Sequence, residues 1–493
     1  MWLLVFTQRI IVARKKDAPP SGQPAEASRR ETETVLARLF VCLGILLGVP
    51  YALLMPPNQV PDEWAHFLRS WEVSTGKLIA TPESIPPPGF GPIWQRFTPA
   101  LDVIDPPRRW IHKEDWLRVL HSDGGPVYTG PVLRNTGGNL YCFVPYVPAG
   151  VALAAARALG FPMLVIYYTG RFTNLAVYVF LIWLALRRAP RFHLLFFALA
   201  LMPMSLHQAA SFSADGISIA VTFLFIAVVL DLAYRSPIQP LGRRDYVQLA
   251  ALVVALSLVK FNIWLVLMLA LIPVQRFKSA QARVAFLLCF LALACGMAGW
   301  WQEVNRANIQ MYSQTPPVPD VYPADSARLA WQHPWWFIES VARSMRKNGA
   351  FFRQSFVGSL AHLSIQLPVW LVNLYLLLLA AVAITESPPA GFDGRARWMC
   401  AAVVLGTTVS LFALLLLLNT PRSETAQWAQ GQGVITGVQG RYFIPFAPLA
   451  FALLASRRLR LNRGVMLALS TSVIVIATGI AWLRIYDTFW NQP

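Results

Sequence analysis

The chain has 493 residues, of which 56% are hydrophobic and 13% charged, about half the charged fraction of a soluble chain. Apolar runs of roughly 18 or more residues recur along its length. Hydrocarbon satisfies the backbone only in helices and closed barrels. The runs are continuous rather than alternating, which excludes a soluble domain and favours a polytopic helical membrane protein over a barrel. The net charge of +18 sits in short basic clusters between apolar runs, the distribution of the positive-inside rule, so it does not point to nucleic acid. Five cysteines, at 42, 142, 289, 295 and 400, lie mostly inside apolar runs and show neither a disulfide framework nor a metal-ligand spacing.

The start, "MWLLVFTQRIIVARKK", is a poor signal peptide: its apolar part is short, the basic residues follow it, and no small-residue cleavage site is present. Residues 17–34 are polar and rich in Pro, Ser and Glu, and residues 1–34 are read as a cytoplasmic tail. Residues 35–493 form a single transmembrane domain of about eleven spans. Letting the basic loops fall inside, the first span, 35–55, runs outward, and 163–186 returns to Arg187, Arg188 and Arg191. Next, 192–210 runs out and 215–234 returns to Arg235, Arg243 and Arg244. The stretch 246–275 is too short for two full crossings and reads as two short helices broken at Lys260-Phe261-Asn262. Then 284–301 runs out, 367–386 in, 398–418 out, 441–456 in and 464–483 out. The outer loops are 56–162, 302–366 and 419–440. A crossing at 141–158 would put the Arg187–Arg191 cluster outside, so that segment is expected along the outer interface. The two large loops are rich in Trp and Pro, and their tryptophans suit the headgroup level.

Directly after the first span stands "PNQVPDEWAHFLRSWEVSTGKL". From Pro61 the pattern is helical: Trp64, Phe67, Leu68 and Trp71 make one apolar stripe, with Asp62, His66 and Arg69 on the other side. Pro61 suits a first helical turn and Gly76 a stop. The expected element is an amphipathic juxtamembrane helix on the outer leaflet. Its acids serve either chemistry or plain helix capping, and His66 either orients a substrate or pairs with Asp62. Ionisable residues near apolar segments are costly and often functional. Arg171 lies near the outer end of the second span, Asp215 at the turn before the fourth, Lys260 at the helix break, and Arg441 at the head of the tenth. Asp215 is equally read as a cap, and Arg171 and Arg441 as side chains snorkelling to headgroups. Lys260, without a nearby acid in sequence, calls for an anion.

Five stretches, "PPNQVPDEWAHFLRSWEVSTGKL", "YYTGRFTNLAVYVFLIWLALRR", "LMPMSLHQAASFSADGISIA", "FVGSLAHLSIQLP" and "GVQGRYFIPFAPL", resemble in this order the DUF2142 family of bacterial membrane proteins. That family is generally placed in the GT-C superfamily of polyprenyl-phosphate-dependent glycosyltransferases. The resemblance implies an all-α, GT-C-like arrangement in the bacterial inner membrane with its active site toward the periplasm. It implies an acidic residue just after the first span as catalytic carboxylate, a position that Asp62 matches and for which Glu63 is the adjacent alternative or a metal ligand. Arg171, Lys260 and Arg441 would hold the donor phosphate, and His66, Asp215, Gln439 and Tyr442 would orient sugar or acceptor. "FVGSLAHLSIQLP" departs from the family's usual wording, which has a further acid before the final proline; Ser364 and Gln366 stand there.

The implied reaction moves a sugar from a polyprenyl-phosphate-linked donor to a glycan or lipid acceptor, with inversion. One carboxylate takes the acceptor's proton, and cations stabilise the departing phosphate. No cofactor is required, a divalent metal is left open, and the seven histidines do not cluster. The rivals are a transporter or flippase of an anionic or lipid-linked substrate, which would carry an internal repeat, and a polymerase or ligase using His333 and Arg353 of the large outer loop.

Overall fold

The computed structural model describes residues 24–81, 83–84, 86–97, 117, 133–134, 137–235, 238–260, 262–314, 319–423, 433–459 and 461–491. These residues are mostly helical. Among them six helices are long and apolar enough to cross a membrane: Thr34–Leu54, Met163–Arg188, Ala214–Tyr234, Ala280–Val304, Gly394–Asn419 and Arg463–Phe489. Val369–Thr385 is equally apolar but has 17 residues.

The remaining expected crossings are built from shorter pieces, each with a local cause. Segment 192–210 divides into His193–Ala200 and Pro203–Ala209, because Pro203 has no N–H and disfavours a helical residue before it. Segment 246–275 breaks where expected. The Arg243–Val259 helix ends at Lys260, whose backbone is extended, and Ile263–Leu271 continues as a 3-10 helix. Segment 441–456 opens as the 3-10 helix Gly440–Phe446, which contains Pro445, followed by Ala447–Ala452.

Ala214–Tyr234 is the axis of the bundle. It is apolar on every side and buried throughout, as a helix without a polar face must be. Met163–Arg188 packs along it and is itself flanked by the first helix and by Val147–Ala158. The latter helix, in the segment expected at the interface, lies on both Met163–Arg188 and Glu63–Ser74. The first helix starts at Pro24, so residues 24–33, expected as flexible tail, extend the helix ahead of the apolar span that begins at Thr34; residues 1–23 lie outside the described residues.

Contacts between connections separate two ends of the bundle. At one end Arg188 meets Asp231 at 3.5 Å, Arg235 pairs with the same carboxylate, and Arg276 donates to the carbonyls of Gln239 and Arg235. Arg397 there donates to the carbonyls of Leu453 and Ala455. The basic clusters expected inside therefore share one end. The opposite end receives the end of the first span, the start of Ala214–Tyr234, Lys260 and the Gly440–Phe446 turn.

That turn is seated by a close approach. Gly440 N–H donates to Ser355 Oγ at 2.7 Å. A Cβ at Gly440 would stand 2.0 Å from the Phe352 carbonyl oxygen and 2.3 Å from the Phe356 amide nitrogen, both on the Gly349–Val357 helix. Gly440→Ala must move one backbone away from the other, at about 1–3 kcal/mol, and carries Arg441 with it. Thermal unfolding in detergent should show a clearly lowered Tm for Gly440→Ala, whereas Gly479→Ala, where a Cβ meets nothing within 4 Å, should leave Tm unchanged or raise it.

Candidate functional site

The two neighbouring acids after the first span have opposite environments. Glu63 is fully buried. Its carboxylate takes Arg171 Nε at 2.8 Å and Nη2 at 2.7 Å, and also accepts the Phe212 N–H at 3.2 Å. Arg171 turns its other N–H groups on the carbonyls of Ala52, Met55 and Pro56. A guanidinium has five N–H donors, and all five are used inside the chain. Arg171 therefore has no donor left for the phosphate role expected of it. Glu63, neutralised by that cation, does not fit a metal ligand or a reserve base.

Asp62 behaves differently. Its side chain is 69% exposed. It stands at the N-cap of the Glu63–Ser74 helix with φ 61°, and its carboxylate makes no capping hydrogen bond. The left-handed region is uncommon for a residue with a Cβ, and here it presents the carboxylate outward, 3.8 Å from Arg441 Nη2. Capping thus does not account for Asp62. The helix itself differs from a leaflet-bound amphipathic helix, because both faces are covered by protein. Phe67 and Leu68 are buried, and so are His66 and Arg69, the latter donating to Glu72 and to the carbonyls of Lys77 and Leu78.

Around Arg441 the other expected residues gather. Asp215 accepts from Lys260 Nζ through one oxygen, and its second oxygen lies 3.4 Å from Arg441 Nε. The cap of that helix is Ser213, not Asp215. Asp215 thus pins two cations rather than facing a substrate alone. The Tyr442 ring lies beneath both, with Lys260 Nζ at 4.7 Å and the Arg441 guanidinium carbon at 5.2 Å from its centre, distances at which a ring quadrupole attracts a cation. Among the described residues two buried polar atoms on this turn have no hydrogen-bond partner, Gln439 Oε1 and Arg441 Nε, the latter meeting Asp215 only across the 3.4 Å ion pair. Native structures leave few such groups, and a donor and an acceptor two residues apart suit a ligand that offers both.

His66 meets Tyr146 rather than Asp62: its Nδ1 is 2.7 Å from the Tyr146 hydroxyl, and its ring lies edge-on to Tyr141. Burial holds its pKa down to about 4, against the opposing pull of Asp62 and Asp215, so it is neutral at pH 7. Burial likewise pushes Tyr141 up to about 12.

Sequence reasoning missed His362, Tyr141 and Tyr146. His362 sits in the hairpin formed by Ser359–Leu360 and Ile365–Gln366, between Ala361 at φ 52° and Leu363 at φ 65°. Its Nε2 is 2.9 Å from the Asn58 carbonyl oxygen. Burial lowers its pKa, with Asp62, Glu63 and Arg441 in its field. Ser364 and Gln366, where the family's usual wording has an acid, are exposed. His333 stacks on Trp336 at 3.9 Å. Among the described residues no group of His, Cys, Asp or Glu is disposed to hold a metal ion.

These features define a multi-pass helical membrane protein with a cluster of charged and aromatic side chains at one end of its bundle. The chain belongs to the DUF2142 family of predicted membrane proteins, whose model matches residues 45–450, a span that includes every site residue from Asp62 to Tyr442. No curated protein and no solved structure matches it.

Two outcomes follow from the burial pattern. Glu63→Gln leaves the Arg171 cation uncompensated and should cost about 3–5 kcal/mol, seen as reduced yield of monodisperse protein and a much lower Tm, with Asp62→Asn close to wild type in both. For His66, the unfolded group, with a pKa of 6.5, binds a proton that the folded group refuses down to about 4. Its contribution is complete above the unfolded pKa and is lost as pH falls toward the folded one, about 3 kcal/mol across that window. Tm measured from pH 7.5 to 4.5 should fall less steeply for His66→Gln, which keeps a polar group near Tyr146, than for wild type.

Proposed function

We propose that this chain is a membrane glycosyltransferase that transfers a sugar from a polyprenyl-phosphate donor to a glycan or lipid acceptor. The reading rests on one observation above all: an exposed carboxylate, Asp62, stands 3.8 Å from a buried arginine that shares its second carboxylate with a lysine. The positive-inside rule puts the basic end of the bundle in the cytoplasm, so the site opens on the outer face.

In this mechanism Asp62 accepts the proton of the acceptor hydroxyl as its oxygen attacks the anomeric carbon. The carbon–oxygen bond to the lipid phosphate breaks, and the electron pair leaves with the phosphate. Arg441 and the remaining N–H groups of Lys260 take up the charge that develops on it. No acid is needed for a leaving group that departs as an anion, unlike glycoside hydrolysis with its two carboxyl groups. Attack opposite the departing phosphate inverts the anomeric centre. Gln439 Oε1 and His66, both neutral, would meet sugar or acceptor hydroxyls, with Tyr442 holding the two cations by its ring. Carboxylates already matched by cations make a poor divalent-metal site, so no step is assigned to a metal. A transporter would place its polar groups near the midplane of several spans; here they lie together at one end, which favours chemistry over passage.

The test is incubation of the purified chain with a panel of polyprenyl-phosphate sugars, followed by separation of lipid-linked and transferred sugar. Asp62→Asn should lower kcat by about 100-fold or more with folding intact, and activity at the wild-type level would remove Asp62 as base. Arg441→Ala and Lys260→Ala should raise KM for the donor well above any rise for the acceptor. Equal rises for both would overturn the phosphate assignment.

A further inference from the structure

The outer segment between Ala280–Val304 and Val369–Thr385 holds a helix with two apolar faces. In Pro334–Lys347, the face bearing Trp336, Phe337 and Val341 packs against an apolar cluster of Phe352, Ile435 and Val438 with Phe412, Leu415 and Leu416, the last three in the final two turns of the Gly394–Asn419 span. Ser340 and Ser344 are buried in the same seam, and Ser344 Oγ accepts the Ile435 N–H at 2.8 Å. The opposite side carries Trp335, Ile338, Ala342 and Met345 at i, i+3, i+7 and i+10, one continuous helical stripe. Trp335 is 72%, Ile338 51% and Met345 42% exposed, and Trp331 of the preceding helix is 88% exposed.

Level, charge and continuity identify what covers this stripe. The preceding helix, Pro323–Gln332, packs on that span, and the inner face joins the cluster at the span's end, so Pro334–Lys347 lies where the span leaves the hydrocarbon. Below it, on the same span, Leu405 and Val409 are exposed to the lipid side. Arg346 and Lys347 end the helix, exposed and without an acidic partner among the described residues. Tryptophan, aliphatic side chains and flanking cations are the composition that seats a helix at the headgroup boundary.

We propose that Pro334–Lys347 is an interfacial anchor whose Trp335–Met345 face lies in the outer-end leaflet and whose terminal cations engage anionic phospholipid headgroups. The inner face shares its apolar cluster with Tyr442 and Phe443, which follow Arg441 in its turn, so the anchor sets the height of the charged site above the bilayer. It does not depend on the reaction proposed above.

The experiment uses the full chain with its five cysteines replaced and a fluorophore on Ile338→Cys, reconstituted in vesicles of phosphatidylcholine and phosphatidylglycerol. Met345→Cys serves where Ile338→Cys lowers Tm. Lipids brominated in the acyl chain should quench the label at least twofold, and aqueous iodide should quench it little, at any protein-to-lipid ratio. Arg346→Glu with Lys347→Glu should at least halve the bromolipid quenching in anionic vesicles and leave it unchanged in pure phosphatidylcholine. Free quenching by iodide without effect of bromolipid would overturn the proposal. So would iodide protection without bromolipid quenching, or protection that grows with protein density, which would place another protein or a second copy on this face. Insensitivity of the double variant to lipid charge would overturn the headgroup assignment.

Discussion

A buried guanidinium is costly unless its donors are answered, and Arg171 answers all of its own with one carboxylate and three carbonyls. Those carbonyls belong to Ala52, Met55 and Pro56, at the C-terminal end of the first span. A helix leaves its last carbonyls without intrahelical partners, and Pro56 and Pro57 offer no N–H to continue the ladder. Arg171 thus caps one helix from the side of another. Through Glu63 it also fixes the first residue of the next helix. The turn from Pro56 to Asp62 is held at both ends by one side chain, which is why its strained residues, Asn58 at φ 60° and Asp62 at φ 61°, keep their conformation. The backbone conformation of Asp62 is held by that clamp.

The clamp separates two adjacent acids into different roles. Neither chemistry nor position in the chain distinguishes Asp62 from Glu63; environment does. Glu63 is matched by a cation and an amide N–H and is silent toward ligands. Asp62 keeps its carboxylate in water, touching a cation only at its edge. Asp215 is a third case. Its two oxygens face two cations, and it makes the burial of Lys260 and Arg441 affordable in the absence of any substrate.

Much of this was legible in the sequence, for identifiable reasons. The long apolar runs and their basic ends marked the six spanning helices, since hydrocarbon length and the charge rule act on local composition. The break at Lys260 was legible because an ionisable side chain in an apolar run has few tolerable positions. The grouping of Asp62, Lys260, Asp215 and Arg441 at one end followed from the same topology. What stayed hidden depended on tertiary partners. Arg171 and Glu63 look as functional as Lys260 and Asp62 until the carbonyls of residues 52–56 are seen around Arg171. His66 reads as a surface partner of Asp62 until the segment 141–146 covers it with Tyr141 and Tyr146. His362 had no signal of its own, because its placement comes from a hairpin with left-handed Ala361 and Leu363 that no periodicity encodes.

The charge at the site also balances in a way that bears on how an anion would enter. Lys260 and Arg441 contribute two positive charges, Asp62 and Asp215 two negative ones, and His66 is neutral. Asp215 is the better placed of the two acids, buried and in contact with both cations, whereas Asp62 reaches only Arg441, from the exposed side. In the proposed reaction an incoming phosphate would compete for Arg441 from that same side, and the acid it would displace is Asp62. The displacement would be productive: the carboxylate that loses its arginine is the one required to accept a proton. Donor binding would thus free the base from its cation before the acceptor arrives.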